Sequence, residues 1–383
     1  MAQPTALDQL CAFFAVVHDP RRQHPTTLHT LETLLTVTIL ATMCGAQSWV
    51  EIEHWGKAQA AWLAAFLDLT PGMPSHDTLG RVFAVLDPTN LHQALVAWMQ
   101  ALADLSQDSV ARDGKTIRRS LDSAAGKGPI HVVNAWAAAN EVVLAQCTVD
   151  AQTNEITALP EGLRMRNLAG AVVTIDAMGG QVDIARPIQE QGADYVLGVK
   201  ENQPSLSHDC ADLFVWLQGP HPLDQPGAFG DDAQVDGGHG RIETRRVWST
   251  AVLAGLEACA RWPGLASLVM GESIRHLGAA ASRERRYDLS ALPGTTDHDA
   301  KRLNRVIRTH WEIDKRVHWV LDVAMGEDAN RTRNGESAQN LALMRKLALN
   351  LLRHEQSVSV GIAAKQKRAG WDHADLLKIL SQT

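Results

Sequence analysis

Three aspartates occupy positions at which a carboxylate could take part in catalysis. Asp113 and Asp176 each end a short apolar run that is typical of a buried strand, and Asp314 falls within a long helical pattern. A carboxylate beside a buried strand is costly unless a positive group is bound next to it. For Asp113 and Asp176 the alternative is that each caps the helix or turn that follows its strand.

Carboxylates supplied by distant parts of a chain are typical of Mg²⁺ sites, because this ion requires oxygen ligands in near-octahedral geometry. Two such ions, held close together, can clamp the attacking and the leaving oxygens of a phosphoryl transfer. Phosphoryl transfer assisted by two metal ions is therefore the chemistry that Asp113, Asp176 and Asp314 would suit if they converge.

The third carboxylate is chosen between two neighbours on one predicted helix. One face of this helix carries, at spacings of four and three, Leu303, Ile307, His310, Asp314, Val317 and Leu321. Asp314 is thus predicted in the middle of an apolar stripe, where a carboxylate needs a partner or a metal. Glu312 lies on another face, with an arginine four residues to either side, and is interpreted as a solvated salt-bridge residue.

Further residues are candidates for contact with phosphate groups. They are Lys115, Arg118, Arg119, Arg241, Arg245, His310, Arg331 and Arg333. For the three cations that follow Asp113, the alternative is a solvated basic loop. Arg241 and Arg245 share a strand face with Glu243, so a cross-strand salt bridge is the alternative there. Arg331 and Arg333 would belong to a basic C-terminal surface.

His310 lies one turn before Asp314 and could orient a metal or a phosphate, or simply pack in the core. A zinc site made of His310 and His318 is disfavoured, because eight residues separate them and no cysteine accompanies them.

The elements that must position these residues change in character along the chain. Residues from about 1 to 105 show apolar positions at spacings of three and four, which predicts a helical N-terminal domain. Ser75 is predicted to cap a helix that ends before Pro88. From about residue 106 to residue 383, short apolar runs alternate with polar breaks and longer helical patterns, which predicts an α/β domain.

The predicted order in this second part is strand, strand, strand, helix, strand, helix, strand. It comprises a hairpin at 130–138 and 142–147, a helical stretch at 158–168, strands at 171–175 and 195–199, and a helix at 181–191. This order matches a ribonuclease-H-like core. Residues from about 204 to 300 have an irregular, glycine-rich pattern that predicts a β-rich insertion, and helices are predicted at 302–323 and 337–352.

Composition excludes several classes of protein. The five cysteines are scattered and never spaced as CxxC, which argues for reduced thiols in a cytoplasm and against a disulfide framework. The longest apolar run, at 34–46, is too short to span a bilayer, so no membrane association is expected. No export signal opens the sequence.

The formal net charge of −7 does not by itself indicate nucleic-acid binding. The charge is uneven, however, because residues 301–383 contain 15 Lys and Arg against 9 Asp and Glu. The C-terminal part could therefore face a polyanion, while an ordinary solvated surface remains the alternative.

A series of motifs resembles the H-repeat-associated (ISAs-type) insertion-sequence transposases of the DDE superfamily. In the second part they are Asp113–Thr116, Val173–Gly179, Asp194–Leu197 with Lys200 and Asn202–Gln203, Gly238–Arg245, His310–Val323 and Glu327–Ala329. In the N-terminal part they are Asp19–Arg21, Cys44–Ala46, Pro74–Thr78 and Gly80–Phe83. The resemblance covers nearly the whole chain in the family's order, and the series is more specific than any one motif.

The resemblance implies a bacterial enzyme with a ribonuclease-H-like core and an Asp, Asp, Glu triad that binds two Mg²⁺ ions, with Mn²⁺ as a substitute. By motif position the first two ligands fall on Asp113 and Asp176. It also implies double-stranded DNA as partner, namely the element's ends and a target, a homodimer in the synaptic complex, and a place at the nucleoid. The sequence departs at the third position, where Ile313-Asp314-Lys315 stands for the family's usual Ile-Glu-Asn.

Three functions are compatible with these residues. The leading prediction is a transposase that cleaves element ends and transfers them to target DNA. A catalytically impaired or co-opted DNA-binding derivative is the alternative, because an aspartate at position 314 reaches one methylene less than a glutamate. A nuclease that only hydrolyses DNA would share the carboxylates, but it would leave the N-terminal domain and the long insertion unexplained.

Overall fold

The computed structural model describes residues 6–22, 27–102, 108–121, 128–149, 168–177, 180–200, 203–219, 229–238, 241–277 and 280–381. In these residues the chain is a mixed α/β protein with one large sheet and helices on both of its faces. The helical stretch predicted at 158–168 falls, except for its last residue, outside the described residues.

The N-terminal part is helical, as predicted. Its helices are α1 (Ala6–Phe14), α2 (Leu31–Met43), α3 (Trp49–Ala58), α4 (Ala60–Leu63), α5 (His76–Val85) and α6 (Pro88–Leu102). Side-chain oxygens of Thr30, Ser48 and Ser75 accept backbone N–H groups at the starts of α2, α3 and α5. The predicted cap at Ser75 and the end of its helix before Pro88 are confirmed.

The sheet comprises, within the described residues, nine strands in the order β3-β2-β1-β4-β5-β9-β8-β7-β6. Their bounds are β1 (Ser109–Ile117), β2 (Ile130–Ala137), β3 (Val142–Val149), β4 (Val172–Ile175), β5 (Asp194–Val199), β6 (Phe229–Gly238), β7 (Arg241–Thr250), β8 (Ser267–Leu277) and β9 (Ala280–Ser290). The predicted hairpin and the two predicted apolar strands are confirmed as β2–β3, β4 and β5.

The first five strands place the C-terminal end of β4 beside the middle of β1. β1 pairs antiparallel with β2, and β2 with β3, whereas β4 runs parallel to both β1 and β5. A parallel pair needs a crossover connection, and helix α7 (Val182–Glu190) supplies the one between β4 and β5.

The region predicted as an insertion begins with helix α8 (Pro204–Leu217) and then forms β6 to β9. β9 pairs antiparallel with β5, so these strands extend the same sheet. The structure therefore continues the core sheet through the insertion.

The C-terminal helices are α9 (Asp297–Ile313), a π-helical segment (Asp314–His318), α10 (Trp319–Val323), α11 (Ser337–His354), α12 (Ile362–Trp371) and α13 (His373–Leu380). The predicted helices at 302–323 and 337–352 are confirmed. On one face of the sheet, α9 packs Leu303 and Val306 against β4 and β5 at Val172 and Val196, and against β7 and β8 at Val247 and Val269.

Helix α11 joins the N-terminal helices to the sheet. Its Asn340 donates to the carbonyls of Phe83 and Leu86, and its Asn350 pairs with both backbone groups of Val143 on β3. Apolar side chains from both the N-terminal part and the later part of the chain belong to one hydrophobic cluster. The predicted domain boundary at residue 105 therefore stays a prediction. In the described part of the chain, no helix has the length and apolar character needed to cross a membrane.

Candidate active site

Asp113 and Asp176 meet because their strands are parallel neighbours. In the pairing of β1 with β4, Arg112 lies opposite Ile175, so the next residue on each side is one of the two aspartates. Adjacent strands are about 4.8 Å apart. The sequence predicted each aspartate at or near a strand end. This holds for Asp176, because β4 ends at Ile175, but Asp113 lies in the middle of β1, which continues to Ile117 through its pairing with β2.

Asp314 reaches this place from the sheet face covered by α9. A capping box at Thr296 and Asp299 starts α9, which runs for 17 residues over the sheet and passes at Asp314 into the π-helical segment. π-helical segments are uncommon in proteins, and those that occur are often found at functional sites. One ligand atom from each of Asp113, Asp314 and His318 lies within 4.8 Å of the other two.

The predicted position of Asp314 in the middle of an apolar stripe is wrong. Its side chain is 55% exposed, and the buried positions around it are Ile313 and Val317. The π-helical segment widens the turn after Ile313, so the buried stripe continues through Val317 and Leu321 while Asp314 lies at its edge. The two arginines that were expected to form salt bridges with Glu312 pair with other carboxylates, Arg308 with Asp236 and Arg316 with Glu141.

The carboxylates have an excess of negative charge. Burial raises the pKa of Asp113 to about 6, the carboxylates of Asp314 and Asp176 add to this rise, and His318 opposes it. A hydrogen bond with His318 lowers the pKa of Asp314. A divalent cation would satisfy this arrangement, because it would supply the positive charge that buried carboxylates lack. The donors present therefore fit a site for a hard cation.

His318 and Asn134 belong to this site and were missed as a pair by sequence reasoning. His318 Nδ1 lies 3.5 Å from Asp113 Oδ2 and 3.4 Å from Asp314 Oδ1. Its Nε2 accepts from Asn134 Nδ2 at 3.1 Å. The spacing of four residues between Asp314 and His318 was the available signal for the histidine. Nothing in the sequence indicates Asn134, because it arrives through the register that places it opposite Asp113.

His310 lies on the Asp176 side of the site. Its Nδ1 is 3.0 Å from the Thr174 hydroxyl, and burial lowers its pKa while Asp176 and Asp314 oppose that shift. With Asp176 it lines a cavity between the sheet and α9 that also contains Lys200, Arg286 and Trp311. The Arg286 guanidinium lies 4.0 Å from the Trp311 ring centroid.

Lys115, predicted to contact phosphate, is instead paired inside the protein. Its side chain is only 8% exposed, and its ammonium contacts Asp322 and, at 2.5 Å, the fully buried Glu327. Burial alone would raise the pKa of Glu327, but Lys346, Lys115 and Arg345 together lower it. In the structure, the ion pairs of Lys115 therefore link β1 to α10 and to the turn that follows it.

The other predicted cations fall in two groups. Arg119 and Arg333 lie together, since Arg333 Nε donates to the Arg119 carbonyl at 3.2 Å. Arg118 is 81% exposed and lies 3.5 Å from Asp328. Arg331 is also exposed and lines a groove with Arg333. Arg245 forms the salt bridges that were its alternative, with Asp236 at 2.6 Å and Glu243 at 2.9 Å. Arg241 begins β7, and its side chain falls outside the part of the chain that is described.

A basic surface on α9 was missed by sequence reasoning. Its cations, which line one groove with Gln234, His298, Thr309 and Glu312, are Lys301, Arg302, Arg305 and Arg308. We call these four residues the α9 basic surface. Among the described residues only Arg308 of the four has an ion-pair partner, Asp236 at 3.3 Å. The uneven charge of residues 301–383 was the signal, but it did not identify which cations share a face.

Two protein-family models match the chain. The model described as "Transposase DDE domain" matches residues 104–351, and the one described as "DDE_Tnp_1-associated" matches residues 11–99. The Escherichia coli O157:H7 protein named "Putative transposase YncI" is 36% identical over 383 residues, which covers 98% of this chain and 95% of the relative. "H repeat-associated putative transposase YhhI" of E. coli strain K12 is 32% identical over 355 residues, covering 92% of this chain and 93% of the relative.

Among solved structures, a piggyBac transposase chain from a cryo-EM synaptic complex with hairpin DNA aligns over 98% of this chain and 76% of its own length. The identity is 10% and the TM-score is 0.39, which is too low for the alignment to bear on function.

Proposed function

This chain belongs to the transposase DDE family, and we propose that it catalyses the metal-dependent cleavage of insertion-sequence ends and their transfer to target DNA. The observation that carries the proposal is the convergence of Asp113 with Asp314 and His318, and with Asp176 on the next strand. These side chains come from strands and a helix that are far apart in sequence, as a site for bound metal requires.

The proposed ligands of two divalent ions are Asp113, Asp176 and Asp314. Bound there, Mg²⁺ or Mn²⁺ would neutralise charge at the scissile phosphate and activate the attacking oxygen. His310, held by Thr174 beside Asp176, is positioned to orient a phosphate oxygen. Catalysis would rest on positioning and electrostatics, without a covalent bond between protein and DNA.

We propose a ribonuclease-H-like core for the part formed by β1 to β5. Its support is the order β3-β2-β1-β4-β5, with β4 and β5 parallel to β1 and the hairpin partners antiparallel. In this arrangement the first two aspartates lie on adjacent central strands, where a helix that crosses the sheet can add a third carboxylate.

Double-stranded DNA, as element ends and as target, is the proposed partner. The α9 basic surface supports this, because phosphate contacts need cations that are not already neutralised, and Lys301, Arg302 and Arg305 have no ion-pair partner among the described residues. Arg118, Arg119, Arg331 and Arg333 are proposed as a second contact at the opposite end of the site. We also propose a homodimer in the synaptic complex, because two element ends must be held together. A protein that acts on bacterial DNA is expected at the nucleoid.

The test is a cleavage assay with the full-length protein and DNA carrying the element's flanking ends, in Mg²⁺ or Mn²⁺. Wild type is compared with Asp176→Ala and Asp314→Glu on a sequencing gel, and a supercoiled target plasmid reports strand transfer. We expect cleavage and joined products from wild type, and neither from Asp176→Ala, because one ligand position is lost.

Other outcomes separate the alternatives. Cleavage without joined products would indicate a nuclease that only hydrolyses. Cleavage by Asp314→Glu alone would identify a chain impaired by the missing methylene. End-specific binding with no cleavage by any variant, each shown to be folded by circular dichroism, would replace the proposal with a DNA-binding derivative.

A further inference from the structure

His318 is the one histidine among the described residues whose ring nitrogen groups with carboxylates as a candidate metal ligand. It lies between a strand carboxylate and a helix carboxylate, 3.5 Å from Asp113 Oδ2 and 3.4 Å from Asp314 Oδ1. Two donors bound to one ion at about 2.1 Å are separated by roughly 3.0 Å at a right angle and roughly 3.4 Å at a tetrahedral angle. The observed separations lie at the wide end of this range, so a small inward shift of the side chains would let all three share one ion.

The far side of the ring is held by a residue with an unused acceptor. Asn134 is fully buried, its Nδ2 faces His318 Nε2 at 3.1 Å, and its Oδ1 has no hydrogen-bond partner among the described residues. A half-turn of the amide would place Oδ1 against Nε2, which could then donate a proton to it. A metal-bound imidazole almost always donates its other N–H to an acceptor of this kind.

The reach of the third carboxylate supports the same conclusion. Asp314 is one methylene shorter than the glutamate that the family resemblance implies, and its side chain stays at the edge of the site. His318, one turn later in the π-helical segment, presents Nδ1 between Asp314 and Asp113. The imidazole thus supplies a third donor beside the two carboxylates.

We propose that His318 Nδ1 is a ligand of the divalent cation held by Asp113 and Asp314, and that Asn134 orients the imidazole for this role. The inference deepens the proposed function, because it concerns the ligands of the same metal site. A set of two carboxylates and one imidazole favours Mn²⁺ over Mg²⁺, since nitrogen donors suit first-row transition metals better than magnesium.

The decisive measurement needs neither DNA nor a variant. Mn²⁺ is titrated into the full-length protein, binding is followed by the loss of the aqueous Mn²⁺ resonance, and pulsed electron paramagnetic resonance detects any ¹⁴N coupled to bound Mn²⁺. We expect the modulation of a directly coordinated imidazole nitrogen. Bound Mn²⁺ without that coupling would overturn the proposal and leave His318 as a hydrogen-bond donor to the carboxylates. Failure to bind Mn²⁺ at all would also overturn it.

Variants then assign the nitrogen. His318→Gln should abolish the ¹⁴N modulation and weaken Mn²⁺ binding at least tenfold, and Asn134→Leu should keep the modulation while weakening binding by roughly tenfold. His208→Gln is the matched control, because His208 is exposed on α8 and pairs, within the described residues, with Asp212 of the same helix. An unchanged ¹⁴N signal in His318→Gln would assign the nitrogen to another residue and refute the proposal.

This readout is separate from that of the proposed function. Imidazole coordination in a protein that does not cleave DNA would remove the proposed function and keep the ligand assignment. Cleavage by a protein whose Mn²⁺ shows only oxygen ligands would do the reverse.

Discussion

Asp113 and Lys115 lie two residues apart on β1 and point to the same side of the sheet. The protein's own side chains neutralise the charge of Lys115 but not that of Asp113. Burial raises the pKa of Asp113 to about 6, and the nearby carboxylates of Asp314 and Asp176 add to the rise. Burial would lower the pKa of Lys115, but Glu327 and Asp322 outweigh it and raise that pKa. The aspartate therefore needs a cation from outside the protein, whereas the lysine is neutralised from within.

Replacement of Lys115 by Met tests this division. The change leaves the buried carboxylate of Glu327 without the ammonium that contacts it at 2.5 Å, although Arg345 and Lys346 remain nearby. We expect the free energy of unfolding to fall by about 3 kcal/mol, the usual cost of breaking a buried ion pair from one side. Urea denaturation followed by circular dichroism measures the change.

Arg118→Met is the matched control for this prediction. Arg118 is a neighbouring cation, 81% exposed and 3.5 Å from Asp328, so its loss should cost less than about 1 kcal/mol. If Lys115→Met were no more destabilising than Arg118→Met, the ion pair with Glu327 would not stabilise β1, and phosphate contact would again be the better role for Lys115.

At the residue scale, sequence reasoning succeeded where the signal is local. A polar residue that ends an apolar run identified Asp113 and Asp176, because both runs are strands, although β1 continues past Asp113 to Ile117 and only β4 ends beside its aspartate. It failed for Asn134, whose position depends on the pairing of β1 with β2. Pairing partners are not encoded in the residues beside Asn134, so no local pattern could select it.

At the scale of elements, the π-helical segment explains why helical periodicity misplaced Asp314. A period of 3.6 residues, continued through the predicted helix, puts Asp314 and Val317 on one buried stripe. The structure buries Ile313 and Val317 and leaves Asp314 at the stripe's edge. The wider turn lets one helix both cover the sheet and present a carboxylate and an imidazole beside Asp113.

Helices α3 and α5 are joined by a buried carboxylate whose stabilising effect should depend on pH. Glu53 accepts from Lys57 Nζ at 2.5 Å, and from the backbone N–H and ring Nδ1 of His76 at 2.7 and 2.6 Å. These hydrogen bonds lower the pKa of Glu53 from 4.5 to about 2. A carboxyl with a lowered pKa stabilises the fold fully above its unfolded pKa, and this stabilisation is lost as pH falls toward the folded pKa.

Glu53→Gln should therefore destabilise the protein most at neutral pH. We expect a loss of about 1–2 kcal/mol near neutrality, because hydrogen bonds to a charged acceptor are replaced by bonds to a neutral one. The difference between wild type and variant should shrink as pH falls below 4.5 toward 2. Urea titrations across this range test it, with Glu190→Gln at the exposed end of α7 as control. A difference that stays constant with pH would contradict the role given to the charge.

At the scale of the whole molecule, the order of the core elements could be predicted and the continuity of the sheet could not. Strands β1 to β5 follow from local apolar runs and the breaks between them. The pairing of β5 with β9, with Val196 opposite Ser290, joins the core to the last strand of the predicted insertion, more than 90 residues later in the chain. Contacts so distant in sequence have no local signature, and the same holds for the core shared by α2 and α11.

The distribution of charge is also a property of the whole molecule. A net charge of −7 does not indicate a DNA-binding protein, but affinity for a polyanion depends on the cations that face it. Lys301, Arg302, Arg305 and Arg308 follow one another at spacings that keep them on the outer side of α9, while Leu303 and Val306 face the sheet. The acidic remainder of the surface would then discourage DNA from binding elsewhere.

Removal of two of these cations should weaken DNA binding uniformly and lower its dependence on salt. Each phosphate contact contributes about 0.9 to the slope of log affinity against log salt concentration. We expect Arg302→Ala with Arg305→Ala to reduce that slope by roughly 1 to 2 and the affinity by on the order of tenfold, for element ends and unrelated duplexes alike. Fluorescence anisotropy over a range of salt concentrations measures both quantities.

Arg186→Ala with Arg261→Ala is the matched control, because both arginines are exposed and lie outside the α9 basic surface. Equal losses in the two double variants would mean that DNA responds to overall charge and that α9 is not its contact surface.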